Sequence, residues 1–392
     1  MKLLIYSHFF APSVGGVETV VLSLARGLAE LRDSNGAAQF EIALVTQAPA
    51  GNWNDARLPF HLIRRPGFFQ LWRLIRSSDV VHVAGPALAP LLLSLVARRP
   101  VVVEHHGFQT ICPNGQLLIE PAGTPCPGHF MAKRHTECLR CNSAHGWLVS
   151  YKLWLLTFVR RFLCARATAN ITPTQWLGGL LNLPNTQTIP HGLEFAGAAA
   201  RSAPQDRAPV ITFLGRLVTT KGVRVLLQAA KILRERNTSF EIVIIGEGPE
   251  RLTLEQFARD SKLGDQVRFA GRLNGEQLDA ALAQTFAVVV PSLGGEVFGL
   301  VVAENMARGL PVVASNLGAF TEVLGDAGLV FRTGDATHLA DALSRLLEEP
   351  SFGVTLGKRA RARVATIYGV EDMIASHAHA YSRVHPDKES IG

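Results

Sequence analysis

The stretch "AVVVPSLGGEVFGLVVAENMARGLPVVAS" (Ala287–Ser315) holds two apolar runs separated by a glycine-rich loop and a helix-forming run. Parallel neighbouring strands need a crossover helix between them, so this stretch predicts a β–α–β unit. Its two glutamates, Glu296 and Glu304, lie eight positions apart, one among glycines and one in the helix-forming run. They form either an acid/base pair or two separate contacts for one long ligand.

The same alternation of apolar and helical runs continues along the 392 residues. It predicts an α/β protein of two Rossmann-like, doubly wound domains facing across a cleft, because this length exceeds one compact core. The predicted strands are KLLIYS (2–7), FEIALVT (40–46), VVHVAG (80–85), VVVEHHG (101–107), VITFLGR (210–216), FEIVIIGEG (240–248), VRFAGR (267–272), AVVVPS (287–292), PVVAS (311–315) and GLVF (328–331).

We divide the chain at its Ala- and Pro-rich stretch, which is typical of an interdomain linker. The predicted parts are an N-terminal domain (1–195) with a cysteine-rich insertion (about 112–141), a linker (196–209), a C-terminal domain (210–368), and a final helix with a tail (369–392). The final helix is a candidate to pack back on the N-terminal domain. The end of the tail, HPDKESIG (385–392), is expected to be frayed.

The net charge of +7 arises in the first half, where residues 1–200 hold 17 Lys/Arg and 10 Asp/Glu while residues 201–392 hold 22 of each. This excess fits an anionic partner or surface as well as ordinary solubilising charge. No helix has a dense basic stripe, so we expect no nucleic acid partner. The aromatic and basic segment 146–168 fits either a helix on an anionic membrane or a core helix with a basic end, which we favour.

The first apolar run is too short for a signal-peptide core and is interpreted as a strand, and no run reaches the ~18 apolar residues of a membrane span. We predict a cytoplasmic protein and leave open a peripheral contact at the inner face of the cytoplasmic membrane.

Two features of the second half are typical of a diphosphate site. Arg216 and Lys221 follow a predicted strand, where Arg grips oxygens bidentately and Lys supplies a point charge. A helix beginning near Phe298–Gly299 would present free N–H groups at Gly299 and Leu300 to an anion. Glu296 precedes that helix start and Glu304 lies inside it, so we favour separate contacts, one to sugar hydroxyls and one to a ribose.

A series of motifs resembles the retaining glycosyltransferases of family 4, which have the GT-B fold. The motifs are GGVE (15–18), HG (106–107), GRLVTTKG (215–222), IIGEGP (244–249), VRFAGRL (267–273) and the two glutamates Glu296 and Glu304. They span nearly the whole chain in the order that the family has.

The resemblance implies residue roles for a nucleotide-diphosphate sugar bound mainly to the second domain. Arg216 and Lys221 hold the diphosphate, Glu296 contacts the sugar, and Glu304 binds the ribose. Phe298, Gly299 and Leu300 offer backbone amides to the sugar and the phosphate, and Arg272 and Leu273 border the base. Glu247 is a further donor-binding residue. In the first domain, Gly16 lies on the loop that closes on the diphosphate, and His106 corresponds to the family's histidine near the reacting sugar. His106, Arg216, Lys221 and Glu296 are the implied catalytic residues.

The resemblance also implies transfer from a UDP- or GDP-sugar to a glycan or lipid-linked acceptor in cell-envelope polysaccharide or glycolipid synthesis. Catalysis is expected to need no cofactor, and the chain has no Asp-x-Asp motif for a divalent metal. A sugar-nucleotide epimerase of the same fold is the alternative enzyme. The alternative that is not an enzyme is a binding protein whose site has lost its catalytic activity.

Four of the five cysteines, Cys112, Cys126, Cys138 and Cys141, lie in one loop-like stretch. Cys138 and Cys141 have the spacing of half a zinc site, which Cys112 and Cys126 would complete. Structural zinc, an iron–sulfur cluster, and reduced or redox-labile thiols are the three interpretations, and none has a part in sugar transfer.

Overall fold

The computed structural model describes residues 1–13, 15–51, 53–120, 122–194 and 208–385. Residues 196–207 of the predicted linker and 386–392 of the predicted tail lie outside them. Its strands are β1 (Lys2–Ser7), β2 (Glu41–Thr46), β3 (His61–Arg64), β4 (Val80–Ala84), β5 (Val101–Glu104), β6 (Leu118–Ile119), β7 (Thr124–Pro125), β8 (Ala169–Thr172), β9 (Thr186–Thr188), β10 (Val210–Leu214), β11 (Glu241–Ile245), β12 (Val267–Gly271), β13 (Thr285–Val290), β14 (Val312–Ser315) and β15 (Leu329–Phe331).

The α-helices of the same residues alternate with these strands. They are α1 (Gly16–Glu30), α2 (Phe68–Ser77), α3 (Leu88–Val96), α4 (His135–Cys141), α5 (Trp147–Cys164), α6 (Gln175–Leu181), α7 (Val223–Glu235), α8 (Arg251–Asp260), α9 (Glu276–Ala283), α10 (Leu300–Ala307), α11 (Gly318–Leu324), α12 (Ala336–Glu348), α13 (Pro350–Ile367) and α14 (Val370–Val384).

The chain forms two compact units. Unit 1 comprises Met1–Gly115, Gly128–Gly192 and Tyr368–Gly392, and unit 2 comprises Gln116–Pro127 and Leu193–Ile367. The final helix α14 is thus part of unit 1, where it packs against α1. Part of the cysteine-rich insertion, Gln116–Pro127, packs in unit 2 although the sequence placed it in the first domain.

Unit 1 is built on a seven-stranded sheet in the order β3-β2-β1-β4-β5-β8-β9. All of its strand pairs are parallel. Strands β1, β4 and β5 are almost entirely buried, which explains why they are nearly continuous apolar runs in the sequence. Parallel crossovers are right-handed, so this strand order puts α2, α3 and α5 on one face and α1 on the other. The contacts of α3 with both α2 and α5 agree with that arrangement.

Unit 2 has a six-stranded parallel sheet in the order β12-β11-β10-β13-β14-β15. Helix α7 covers it with an apolar face that includes Leu226, Leu227 and Leu233, all fully buried. Burying one such leucine contributes roughly 1.5–3 kcal/mol. The prediction of an α/β protein with two parallel, doubly wound sheets is confirmed.

Helix α5 differs from the interpretation that we favoured. Only Ser150, Thr157, Leu163 and Cys164 of its residues are buried, so the core-helix interpretation was wrong. Most of its apolar side chains are exposed instead. Because they recur every three or four residues, they form one face of the helix. No helix of the described residues has the length and apolar character needed to cross a membrane.

The attachment of α14 to unit 1 gives the first testable prediction. A Cβ at Gly192 would lie 2.5 Å from the Cα of Val370, at the start of α14. We expect Gly192→Ala to destabilise the protein by about 1–3 kcal/mol, because backbone must move to admit the methyl group. Thermal unfolding measures the change.

Gly179→Ala is the matched control, since a Cβ at Gly179 of α6 has no atom within 4 Å. It should leave the melting temperature unchanged or raise it, because alanine favours a helix over glycine. Equal melting temperatures for both variants would contradict the close packing of α14.

Candidate active site

The predicted donor residues of unit 2 converge on one edge of its sheet. Arg216, Glu247, Arg272 and Glu296 follow β10, β11, β12 and β13 respectively, and these four strands are parallel neighbours. The carboxyl ends of parallel strands meet at one edge, where ligands bind in open α/β sheets. The structure therefore brings together residues that are up to 80 positions apart in the chain.

Glycines allow the turns after β10 and β11 to lie against each other. A Cβ at Gly246 would overlap the carbonyl oxygen of Gly215, and one at Gly248 would overlap that of Leu217. Backbone hydrogen bonds from Gly215 to Ile245 and from Leu217 to Glu247 join the turns. This close approach explains the glycines of GRLVTTKG and IIGEGP, and it leaves Arg216 exposed at the sheet edge.

Lys221 and Glu296 form an ion pair. Lys221 Nζ lies 2.5 Å from Glu296 Oε1, and the hydroxyl of Ser292 donates to the same oxygen at 3.0 Å. Both side chains are mostly buried, with 29% of Lys221 and 13% of Glu296 exposed. The cation assigned to the diphosphate and the carboxylate assigned to the sugar are thus held next to each other.

Helix α10 begins at Leu300, one residue after the predicted start, with Gly299 as its N-cap. Gly299 has a φ of 93°, and a Cβ there would lie 2.5 Å from the ring of Phe320. Glycine is therefore required at this position, and no side chain caps the first turn. An uncapped first turn presents backbone N–H groups and the positive end of the helix dipole to an anion.

Glu304 lies in the second turn of α10, about 6 Å along the axis from Leu300. It is half-buried, and that burial raises the pKa of its carboxyl group, although Arg308 acts in the opposite direction. The sequence prediction that Glu304 is partly buried is confirmed. Glu296 and Glu304 belong to different local structures, a loop and a helix.

Glu247 forms an ion pair with a residue four positions further along the chain. Its carboxylate pairs with Arg251 of α8, which also binds Glu255 at 2.8 Å. Gly271 lies next to the Glu247 side chain and carries Arg272 and Leu273 directly after it. Arg272 is exposed and Leu273 is half-buried.

In unit 1, the predicted residues Gly16 and His106 follow strands of the other sheet. Gly16 is the first residue of α1, which comes after β1. His106 follows β5, and its side chain is only 6% exposed. Its Nε2 atom lies 3.4 Å from Oε2 of Glu104.

Sequence reasoning missed a buried cluster around Glu104, whose side chain is fully buried at the end of β5. Besides His106, three histidines face its carboxylate: His82 Nε2 at 3.2 Å, His191 Nδ1 at 3.6 Å and His377 Nε2 at 3.7 Å. The hydroxyl of Tyr381 lies 2.9 Å from His82 Nδ1. The one signal in the sequence was a charged residue inside the apolar run VVVE, because the partners lie far along the chain.

The surroundings of the cluster keep Glu104 ionised and keep His82 and His191 neutral. Burial alone would raise the pKa of Glu104, but the electrostatic attraction and hydrogen bond of the His106 ring, with hydrogen bonds from His377 and His82, hold that pKa well below its usual range. Burial lowers the pKa of His82, and lowers that of His191 to about 3. Glu104 is therefore a buried carboxylate, and His82 and His191 are neutral.

None of the five cysteines belongs to a group of three closely spaced potential ligand side chains in the described residues. The one group of three His, Cys, Asp or Glu side chains there whose ligand atoms lie within 4.8 Å of one another is Glu104, His106 and His191. Cys112 donates to Asn114 Oδ1 at 2.9 Å, and the Asn114 amide approaches Cys141 Sγ at 3.6 Å.

Cys126 belongs to unit 2, whereas Cys112, Cys138 and Cys141 belong to unit 1. The five cysteines all lie in the described residues, and no disulfide joins them. Structural zinc on these four cysteines stays a prediction.

Two family profiles match consecutive parts of the chain: Glycosyltransferase Family 4 over residues 14–195, and Glycosyl transferases group 1 over residues 198–363. The GDP-mannose-dependent alpha-(1-6)-phosphatidylinositol monomannoside mannosyltransferase of Mycobacterium tuberculosis is 33% identical over 386 residues, which cover 92% of each chain. A phosphatidyl-myo-inositol mannosyltransferase of Mycolicibacterium smegmatis is 38% identical over 182 residues, 45% of this chain and 46% of that protein. For that protein and three other curated relatives, the match spans only 36–47% of their length.

Solved structures show the same fold at low sequence identity. Anabaena Alr3699/HepE in complex with UDP and glucose has a TM-score of 0.72 at 18% identity, over 98% of this chain and 100% of that one. Sucrose-phosphate synthase of Thermosynechococcus elongatus has a TM-score of 0.73 at 20% identity, over 98% of both chains. The predicted GT-B fold is confirmed, and together with the relative that matches over nearly its full length these findings show that the chain belongs to glycosyltransferase family 4.

Proposed function

We propose that this protein is a retaining glycosyltransferase that moves a hexose from a nucleotide-diphosphate sugar, with GDP-mannose as the first candidate, to a lipid-linked acceptor. The observation that carries the proposal is the convergence of Arg216, Lys221, Glu296 and the uncapped start of α10 on one sheet edge of unit 2. These groups together suit a diphosphate with a sugar beside it.

In the proposed reaction, the bond between the anomeric carbon and the diphosphate oxygen breaks. A new bond to an acceptor hydroxyl forms on the same face of the sugar, and the hydroxyl proton passes to the leaving phosphate. Arg216, Lys221 and the α10 N–H groups stabilise the charge that collects on the nucleoside diphosphate. This electrostatic work is done by groups of the chain itself, so we expect activity to persist in a metal chelator.

The choice of donor and acceptor is supported by relatives. The Mycobacterium tuberculosis relative is named as a GDP-mannose-dependent phosphatidylinositol monomannoside mannosyltransferase, and three further relatives are named as phosphatidyl-myo-inositol mannosyltransferases. A 2-deoxystreptamine glucosyltransferase and a glycogen synthase also match. We therefore rank GDP-mannose and an inositol lipid first, ahead of UDP-glucose and a glycan.

A lipid acceptor is also supported by one surface of unit 1, formed by α2, α3 and α5. The exposed apolar side chains of this surface are Phe68, Phe69, Leu92, Val96, Trp147, Leu148, Tyr151, Leu155, Phe158 and Phe162. Leu148 is 88% exposed and Phe69 is 79% exposed, which is unusual for side chains so apolar.

The charges of the same surface are all positive. The three helices contain no Asp or Glu, whereas Arg73, Arg76, Lys152 and the nearby Arg166 are exposed. Apolar side chains with cations and no anions suit the headgroup region of an anionic membrane. We propose that this surface, the α2–α3–α5 face, holds the enzyme at the membrane where its acceptor lies, which also accounts for the basic first half.

The proposal is tested by incubating the purified protein with GDP-mannose, UDP-glucose and related donors, with and without phosphatidylinositol in vesicles. Transfer that depends on the acceptor, with an α-linked product from an α-linked donor by NMR, is the expected result. Interconversion of the free sugar nucleotide would instead show the epimerase, and binding without turnover would show a lapsed enzyme.

Lys221→Ala should lower kcat/KM by about 100-fold or more, since it removes a preorganised cation from the leaving group. The measurement is the initial rate of sugar transfer over a range of donor concentrations. Lys231→Ala is the matched control, because Lys231 is an exposed lysine of unit 2 paired only along its helix with Glu235. Equal activity of the two variants would refute the assignment of Lys221 to the diphosphate.

Glu304→Gln should stabilise the protein at neutral pH and weaken donor binding. A carboxyl group whose pKa is raised on folding contributes stability below its unfolded pKa, near 4.5, and loses it as pH rises through the folded pKa. The glutamine variant should therefore melt higher than wild type at pH 8 but equally at pH 4. Its affinity for GDP should fall, because an amide offers one acceptor oxygen where a carboxylate offers two.

Thermal unfolding at both pH values and calorimetric titration with GDP measure these effects. Glu348→Gln, at an exposed glutamate of α12, should change neither. An unchanged GDP affinity in Glu304→Gln would remove Glu304 from the donor site.

The α2–α3–α5 face predicts membrane binding that depends on anionic lipid. We expect the protein to sediment with phosphatidylglycerol-containing vesicles, less with phosphatidylcholine alone, and less at high salt. The double variant Leu148→Ser/Phe162→Ser should lose at least about tenfold in vesicle affinity, since each side chain buries apolar area in the membrane.

The matched control is Leu252→Ser/Val354→Ser, which changes two exposed apolar side chains of unit 2. It should bind vesicles as wild type does. Equal binding by both double variants would show that another surface holds the membrane.

A further inference from the structure

The carboxylate of Glu104 lies at the centre of a donor set drawn from distant parts of unit 1. His82 comes from β4, His106 from the segment after β5, His191 from the segment after β9, and His377 from α14. A carboxylate has about four lone-pair sites, and here four imidazole nitrogens lie 3.2–3.7 Å from its oxygens.

The tautomer of His82 follows from its two neighbours. The ionised Glu104 can only accept a hydrogen bond, so the hydrogen of the neutral His82 ring is on Nε2, which faces it at 3.2 Å. His82 Nδ1 then accepts from the hydroxyl of Tyr381, whose pKa is raised well above its usual value by burial and secondarily by the charge of Glu104. His82 is therefore a neutral donor that contributes no charge to balance the carboxylate.

His377 faces a hydrogen-bond acceptor at each ring nitrogen. Its Nδ1 lies 2.9 Å from the carbonyl oxygen of Met373, and its Nε2 lies 3.7 Å from Glu104 Oε1. A carbonyl oxygen can only accept, so Nδ1 carries hydrogen and donates to Met373, while the contact of Nε2 with Glu104 is longer than a hydrogen bond. The hydrogen bond to Met373 thus holds the His377 ring of α14 beside the buried carboxylate.

His106 is the member of the cluster at the predicted reaction centre. Its Nε2 is buried against Glu104, which leaves Nδ1 as the nitrogen available to a substrate. A carboxylate at Nε2 fixes the hydrogen there, because the hydrogen bond of one ring nitrogen sets the state of the other. His106 then presents a lone pair at Nδ1, an acceptor for a hydroxyl group.

We propose that Glu104 is a positioning residue that holds His106 with hydrogen on Nε2 and a lone pair on Nδ1. The substrate group that this arrangement recognises is a hydroxyl of the sugar or of the acceptor. The inference rests on the proposed function, since it deepens the role of His106 in sugar transfer.

The wild-type protein tests the arrangement directly. Two-bond proton–nitrogen NMR correlations of protein labelled with ¹⁵N-histidine report which ring nitrogens carry hydrogen. The expected result is hydrogen on Nε2 alone for His106, with its resonances assigned from His106→Asn. Hydrogen on Nδ1 of His106, or a metal ion bound stoichiometrically at the cluster, would overturn the proposal.

Kinetics separate positioning from a purely structural role. Glu104→Gln should lower kcat by about 10- to 100-fold, as expected for a misplaced catalytic group. The KM for the donor should stay within about threefold, because most of the predicted donor residues belong to unit 2. Combined with His106→Ala, Glu104→Gln should cause no further loss, since both changes remove the same function.

His105→Gln is the matched control. His105 is a neighbouring buried histidine whose Nε2 lies 2.9 Å from Asn170 Oδ1, a partner outside the cluster. It should keep kcat within about threefold of wild type. Fully additive losses in the Glu104→Gln/His106→Ala variant would contradict the proposal, and if Glu104→Gln does not fold the wild-type NMR result decides alone.

Failure of the proposed function has a different signature. A wild-type protein that transfers no sugar to any acceptor refutes the transferase, whereas the tautomer of His106 is measured without turnover. A wild-type transferase whose Glu104→Gln variant is fully active refutes the positioning role alone.

Discussion

All strands of each large sheet run in one direction, and most of the candidate chemistry depends on that constraint. A parallel sheet sends every β-to-α connection out at the same edge. In unit 2 the turns after β10, β11, β12 and β13 are therefore neighbours, although a helix separates each strand from the next in sequence. In unit 1 the same constraint puts the segment after β5, with Glu104 at its start, beside the end of β4.

The two units handle charge in opposite ways. In unit 2, Arg216 is exposed and the Lys221–Glu296 pair is partly exposed, so these charges remain available to a polar ligand. In unit 1, the carboxylate of Glu104 is fully buried and surrounded by imidazole groups. An exposed charged side chain can bind a polar ligand at little cost in desolvation. A buried charge is stable only when other groups of the folded protein pair with it or donate hydrogen bonds to it.

Much of the fold was readable from the sequence, because buried parallel strands are continuous apolar runs. The predicted strand at 80–85 agrees with β4 within a residue, and the final helix predicted within 369–392 is α14. Strands β3, β6, β7, β8 and β9 were missed. They are short, and polar residues such as the three of TQT in β9 give no apolar signal.

The sequence predicted those residues of the candidate site that lie next to a glycine-containing motif. Arg216, Lys221 and the start of α10 were found in this way. The Lys221–Glu296 pair joins positions 75 apart, and the Glu104 cluster joins residues from four separate segments. Contacts between side chains so far apart in the sequence depend on the tertiary fold, so they cannot be predicted from a single sequence.

The discontinuity of unit 1 has a consequence for biosynthesis. A ribosome makes the chain from the N-terminus, and domains generally fold as units in that order. Here Glu104 is made early, while His377 and Tyr381 come from the last helix, after the whole of unit 2. Unit 2 therefore has all of its residues before unit 1 does, and the nascent first half lacks part of its core until α14 has been made.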